Sequence, residues 1–156
     1  MTIRDETLVR RAQPHEAEAL NELILRSKGF WGYDPSFVEV YRSFLSLSPE
    51  AIEHTPIYCA EVGSRLAGVL HLTVLNEMEI ELDLLFVEPT FIGQGIGTLL
   101  WRHAIDLARS MGAKTLMFDA DPHARPFYER MGAVVINDHL STVITGLRIP
   151  RMRYAL

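Results

Sequence analysis

Apolar positions along the chain change period several times, and the changes mark out its elements. Residues 7–11 alternate as a short strand does. After Pro14 the spacing becomes helical, with Ala17, Leu20, Leu23 and Ile24 on one stripe of EAEALNELILRS. Pro14 suits the first helical turn, where its fixed φ is already helical and a missing N–H costs nothing. A turn-like segment, SKGFWGYDP at 27–35, then leads to a second helix over 36–47 with Phe37, Val40, Tyr41 and Phe44 on one face. From residue 57 the period is that of strands, and 57–62, 66–75 and 79–87 form a meander. Helical spacing returns at Ile96, Leu99, Leu100, Ala104, Leu107, Ala108 and Met111, closed by Gly112. A strand at 114–119, a short helix at 125–131 with Pro126 in its first turn, and strands at 133–136 and 149–154 complete the chain. The order β-α-α-β-β-β-α-β-α-β-β predicts an α/β (α+β) domain, a mixed sheet flanked by helices.

Composition narrows the class. With 156 residues, 48% of them hydrophobic, the chain fits a single domain over 1–156 with a sizeable core. No linker or repeat interrupts it, and the N-terminal MTIRDETLVRR is too polar for a signal sequence. The longest nearly apolar stretch, 66–75, contains Gly68, His71 and Thr73 and is too short to span a membrane, so a soluble cytoplasmic protein is expected. Cys59 stands alone, which rules out an intramolecular disulfide, and its setting in IYCAEV reads as a small buried strand residue. A net charge of −5 argues against a nucleic-acid partner and is compatible with a cationic substrate. The histidines at 15, 54, 71, 103, 123 and 139 show no HExxH or comparable spacing, and no metal is expected.

The segment FIGQGIGTLL at 91–100 carries the chemistry. A strand ending at Val87, a turn through Pro89, and glycines at 93, 95 and 97 running into a helix present backbone N–H groups at a positive dipole end, where phosphate binds. A P-loop is excluded because no lysine lies near Thr98, and a dinucleotide fingerprint starting at Gly93 would need glycine at 98. The alternative is a glycine-rich turn with no ligand. At this point the chain resembles the GNAT acyltransferase superfamily, whose pyrophosphate loop [RQ]xxGx[GA] reads here as Ile92, Gly93, Gln94, Gly95, Ile96 and Gly97, with Ile92 in place of the usual Arg or Gln. DPHARPFYERMGA at 121–133 is similar to a second family block, NxxAxxFYExxGF, with Asp121 replacing Asn and Ala133 replacing Phe. SKGFWGY at 27–33 further resembles a bacterial subgroup.

The resemblance implies a mostly antiparallel sheet of six or seven strands, about four helices and a splayed parallel strand pair. It also implies acetyl-CoA as co-substrate, its pantetheine pairing with the strand edge at Leu85, Phe86 and Val87. Gly93 to Thr98 would hold the pyrophosphate, and Asp121, Ala124, Phe127 and Tyr128 would line the channel. The N–H near Val87 would face the thioester oxygen, and such a donor stabilises a developing oxyanion by roughly 3 kcal/mol.

An attacking amine must be neutral, yet an alkyl amine of pKa about 10.4 is protonated at pH 7, so a base is needed. The resemblance implies Glu81 as the first candidate, since some family members carry a catalytic glutamate six residues before the position of Val87, and Asp83 is the alternative, since 81, 83, 85 and 87 share one strand face. Both also read as solvated strand residues. The resemblance assigns Tyr128 as the acid that helps CoA leave; the other reading is a packed aromatic. The 27–35 segment would overhang the acetyl group, with Phe30, Trp31 and Tyr33 as walls and Asp34 holding a cationic amine, or else serve as a hydrophobic lid. The expected activity is transfer of acetyl to a primary amine of a small molecule or peptide by direct attack in a ternary complex. A non-catalytic acyl-CoA sensor and a nucleotide-binding regulator are the alternatives, and family members often dimerise, so a homodimer is plausible.

Overall fold

The computed structural model describes residues 3–45 and 47–156. Seven strands, β1 (Thr7–Arg11), β2 (Ile57–Val62), β3 (Arg65–Val74), β4 (Glu79–Val87), β5 (Thr115–Asp119), β6 (Val134–Leu140) and β7 (Arg148–Ala155), form one sheet in the order β1-β2-β3-β4-β5-β7-β6. Pairing is antiparallel for β1–β2, β2–β3, β5–β7 and β6–β7 and parallel for β4–β5. The helices among the described residues are α1 (Ile3–Glu6), α2 (Ala17–Gly29), α3 (Pro35–Arg42), α4 (Pro49–His54), α5 (Ile96–Ser110) and α6 (Arg125–Arg130). They exceed the expected four because α1 and α4 were not anticipated.

α4 starts at a Ser48 cap, whose Oγ accepts the Ala51 N–H at 3.0 Å, but it buries only Ile52 and so shows no apolar stripe. α3 stops at Arg42 instead of reaching 47, because the chain tightens into i→i+3 bonds from Phe44 to Tyr41 and from Leu45 to Arg42. β6 runs to Leu140 instead of 136, since pairing with β7 outweighs the weak strand propensity of Asn137 and Asp138.

The chain divides into two compact units, one of residues 1–72 and 84–104, the other of 73–83 and 105–156. In the first, Leu20, Leu23 and Ile24 of α2 bury against Ile52, Ile57, Cys59 and Val69, with Leu84 and Phe86 packed on the cluster. Gly68 lets α5 settle on β3, since a Cβ there would stand 2.7 Å from Leu100 Cδ1 and 3.0 Å from the Phe86 carbonyl oxygen. In the second unit Leu116, Phe118 and Met152 form the buried centre. Its parallel register covers Glu79↔Thr115 to Glu81↔Met117, whereas β4 continues to Val87. No helix of the described residues is long and apolar enough to cross a membrane.

Candidate active site

The glycine cradle is built in the first unit. The Glu88 N–H still bonds to the Ala67 carbonyl of β3 at 2.9 Å, and a single 3₁₀ turn at Pro89–Phe91 then redirects the chain. Gly93 and Gly95 sit at φ +83° and +87°, values that side chains other than glycine's rarely adopt, and an added Cβ on either would meet nothing within 4 Å. Both therefore face open space. Gln94 steadies the loop by donating from Nε2 to the Thr90 carbonyl at 3.1 Å. α5 begins at Ile96, so the N–H groups of Ile96, Gly97 and Thr98 lie in a first turn that has no intrahelical acceptors for them. These donors and the glycine backbone fit a pyrophosphate. The Ile92 N–H does not join them, because it is spent on the Pro89 carbonyl at 3.2 Å.

One cation near the loop escaped the sequence reading. The Arg65 guanidinium lies 4.8 Å from the Phe91 ring centroid and donates to Thr90 Oγ1 at 3.4 Å. A lone arginine at the start of a strand gives no local signal of this.

Glu81 and Asp83, two residues apart on β4, lie on the same face of the strand. Glu81 is gripped by Arg151 of β7, with Nη1 to Oε1 at 2.6 Å and Nη2 to Oε2 at 2.7 Å. Arg151 also donates to Asp119 at 3.2 Å, and Asp119 meets the His139 ring at 3.1 Å. A row of charged groups thus crosses β4, β7, β5 and β6. The Leu140 carbonyl and the Asp119 carboxylate raise the His139 pKa, and Glu81 raises that of Arg151. Both oxygens of the first-choice base are engaged by a guanidinium, and Asp83, two residues further along β4, is exposed.

Tyr128, on α6, is 7% exposed and packs against Phe118 at 4.5 Å and Phe127 at 5.1 Å between ring centroids. Burial, helped by the nearby Asp121 charge, raises its pKa above the ordinary tyrosine value and keeps the phenol protonated. Asp121 is tied into the turn before α6, accepting from the His123 N–H at 2.8 Å and meeting His123 Nδ1 at 2.9 Å. Ala124 and Phe127 are half-buried beside it in sequence.

In the segment expected to hold the acceptor, α2 persists to Gly29, so the non-helical stretch is shorter than 27–35. Phe30 is 47% exposed and meets Trp31 edge-on at 5.0 Å. Tyr33 is half-buried. Asp34 caps α3, accepting from Ser36 N at 2.8 Å and Ser36 Oγ at 2.7 Å, and those bonds lower its pKa. Its carboxylate is therefore committed to the helix start, and the expectation that it grips an amine loses its main support. Two residues outside the sequence reading join this region: Arg26, in the last turn of α2, forks onto Glu88 at 2.8–3.2 Å.

Cys59 is free and buried, and burial pushes its thiol pKa up to about 11. Among the described residues no group of three His, Cys, Asp or Glu side chains is placed to hold a metal ion.

The chain is similar in fold to the GCN5-related N-acetyltransferase of Rhodopseudomonas palustris, with TM-score 0.79, 21% identity and coverage of 96% of this chain and 95% of that one. It is likewise similar to the PaiA N-acetyltransferase of Thermoplasma acidophilum in complex with coenzyme A, with TM-score 0.80, 18% identity and coverage of 96% and 99%. The ribosomal-protein-S18-alanine N-acetyltransferase of Escherichia coli follows at TM-score 0.72, 17% identity and coverage of 96% and 93%. No curated protein matches the chain. The acetyltransferase (GNAT) family profile matches residues 17–133, from α2 through the cradle to the end of the FYERMGA block. The chain belongs to the acetyltransferase (GNAT) family.

Proposed function

We propose that the chain is an acetyl-CoA-dependent N-acetyltransferase acting on a primary amine of a small molecule or peptide, by direct attack in a ternary complex. The observation that carries this reading is the cradle: two left-handed glycines facing open space between β4 and the first turn of α5. The Thermoplasma neighbour in complex with coenzyme A supports the same ligand class.

Acetyl-CoA supplies an acyl group already activated as a thioester. The chain binds and orients it: the N–H groups of Ile96 to Thr98 take the pyrophosphate, Arg65 adds positive charge beside the loop, and the edge of Leu85, Phe86 and Val87 takes the pantetheine. The ammonium gives up one proton to become a nucleophile, its nitrogen bonds to the thioester carbon, the C–S bond breaks, and the second nitrogen proton ends on the CoA thiolate through solvent, so the first is the one a base must take. We assign that proton to Asp83, directly or through a water, because Asp83 is the exposed carboxylate of the strand and stands two residues nearer Val87 than Glu81 does. The N–H near Val87 stabilises the oxyanion. Tyr128, with its pKa above about 10, would lose free energy in passing a proton to a thiolate whose conjugate acid has a pKa near 8.5. Its role is to donate a hydrogen bond to the departing sulfur.

The test is release of free CoA thiol from acetyl-CoA across amines, amino acids, polyamines and peptides. Turnover with any member supports the reading. CoA binding without thiol release would favour a second reading, an acyl-CoA sensor, which the Glu81–Arg151 pair supports by occupying the strand-face carboxylate nearest the usual base position.

A further inference from the structure

Glu88 is a charged side chain in a place where charge is costly. It follows the last residue of β4, and its side chain is 12% exposed while that of Arg26 is 53% exposed. A nearly buried carboxylate persists only if it is paired and hydrogen-bonded. Arg26 meets that need, with Nε to Oε1 at 3.0 Å, Nε to Oε2 at 3.2 Å and Nη2 to Oε2 at 2.8 Å. Such a fork fixes orientation as well as distance.

Both partners are anchored through their main chains. The Glu88 N–H bonds to the Ala67 carbonyl at 2.9 Å, and its carbonyl accepts the Phe91 N–H at 2.8 Å, which starts the turn into the cradle. The Arg26 carbonyl accepts the Phe30 N–H at 3.1 Å, so Arg26 holds the first aromatic of the 30–34 segment while its side chain holds Glu88.

We infer that Arg26 and Glu88 are positioning residues that set Phe30, Trp31 and Tyr33 relative to the end of β4, so that acceptor use depends on the pair and acetyl-CoA binding does not. This inference rests on the acetyltransferase reading above.

Its test compares the full chain with Arg26→Lys, which keeps the charge and loses the fork, with Glu88→Gln, which keeps the shape and loses the charge, and with the double variant. CoA affinity is measured by calorimetry, and kcat and KM are measured for the best amine of the panel. Acrylamide quenching of Trp31 is followed in a Trp101→Phe background. CoA affinity is expected to hold within about twofold, acceptor kcat/KM to fall about tenfold in each single variant, and the double variant to be no worse than either, as for residues that act as one unit. Trp31 quenching should rise in all three. Unchanged acceptor kinetics and quenching, with stability alone reduced, would overturn the inference, as would weakened CoA binding of equal size. If no amine releases thiol with the unaltered chain, the acetyltransferase reading fails, and the quenching measurement decides the positioning role alone. If Glu88→Gln does not fold, Arg26→Lys carries the test.

Discussion

Two arginine–glutamate forks hold β4, one on Glu81 within the strand and one on Glu88 just beyond it, and they do different things. The Glu81 fork lies within the sheet: Arg151 comes from β7, and the side chains are 20% and 23% exposed. The Glu88 fork joins the strand end to a helix, and its arginine is far more open to solvent. Similar chemistry therefore gives a fixed carboxylate in a charged row in one place and a tie between two elements in the other. A glutamate on the expected strand face is thus not enough to identify a base, because the arginine facing it decides what the carboxylate can accept.

The sharpest way to break this contrast is at the base. Asp83→Asn is expected to lower kcat about 100-fold, within the usual range for loss of a general base, and Glu81→Gln less than tenfold. Steady-state rates in the opposite order would return the role to Glu81.

Next comes stability. Arg151→Met strips both Glu81 and Asp119 of their shared guanidinium and should cost about 3 kcal/mol in urea unfolding, whereas Arg26→Met, which leaves the single nearly buried Glu88 carboxylate unpaired, should cost about 2 kcal/mol. Equal losses would remove the distinction between the forks. On the proposed mechanism, Tyr128→Phe should reduce kcat about tenfold with little change in CoA affinity, since it would remove one hydrogen bond to the leaving sulfur while the ring packing against Phe118 stays intact.

A third fork tests the sign of pH effects. Arg10 donates to Glu16 at 2.8 and 2.9 Å and holds the Glu16 pKa below its ordinary value. A lowered carboxyl pKa contributes stability above the unfolded-state value of about 4.3, and that contribution disappears as pH falls through the folded-state value. Glu16→Gln should therefore be less stable than the unaltered chain at pH 7 by about 1 kcal/mol, with the gap closing in acid. The smallest effect expected is at the cradle, where Arg65→Ala should weaken CoA about threefold, more at low salt than at high.

The cradle was legible because its signal is local: glycine spacing, a preceding strand and a following helix lie within a few residues. The bounds of β1, β2 and β4 came out as expected for the same reason, each strand showing its own period. Asp-Pro-Ser likewise carries the local signature of a helix cap at Asp34. The forks were not legible, since Arg151 lies 70 residues from Glu81 and Arg26 lies 62 from Glu88, and only the fold brings them together. Arg65 escaped for a similar reason, being an unremarkable residue until β3 sets it beside Phe91.

The isolation of Cys59 has a kinetic consequence. With its thiol buried and its pKa pushed up to about 11, Cys59 is poorly suited to carry an acyl group, which favours the direct transfer proposed above over a cysteine acyl-enzyme with double-displacement kinetics. Double-reciprocal plots for acetyl-CoA at several acceptor concentrations should accordingly intersect instead of running parallel, and a thiol reagent in the assay will count only the CoA set free.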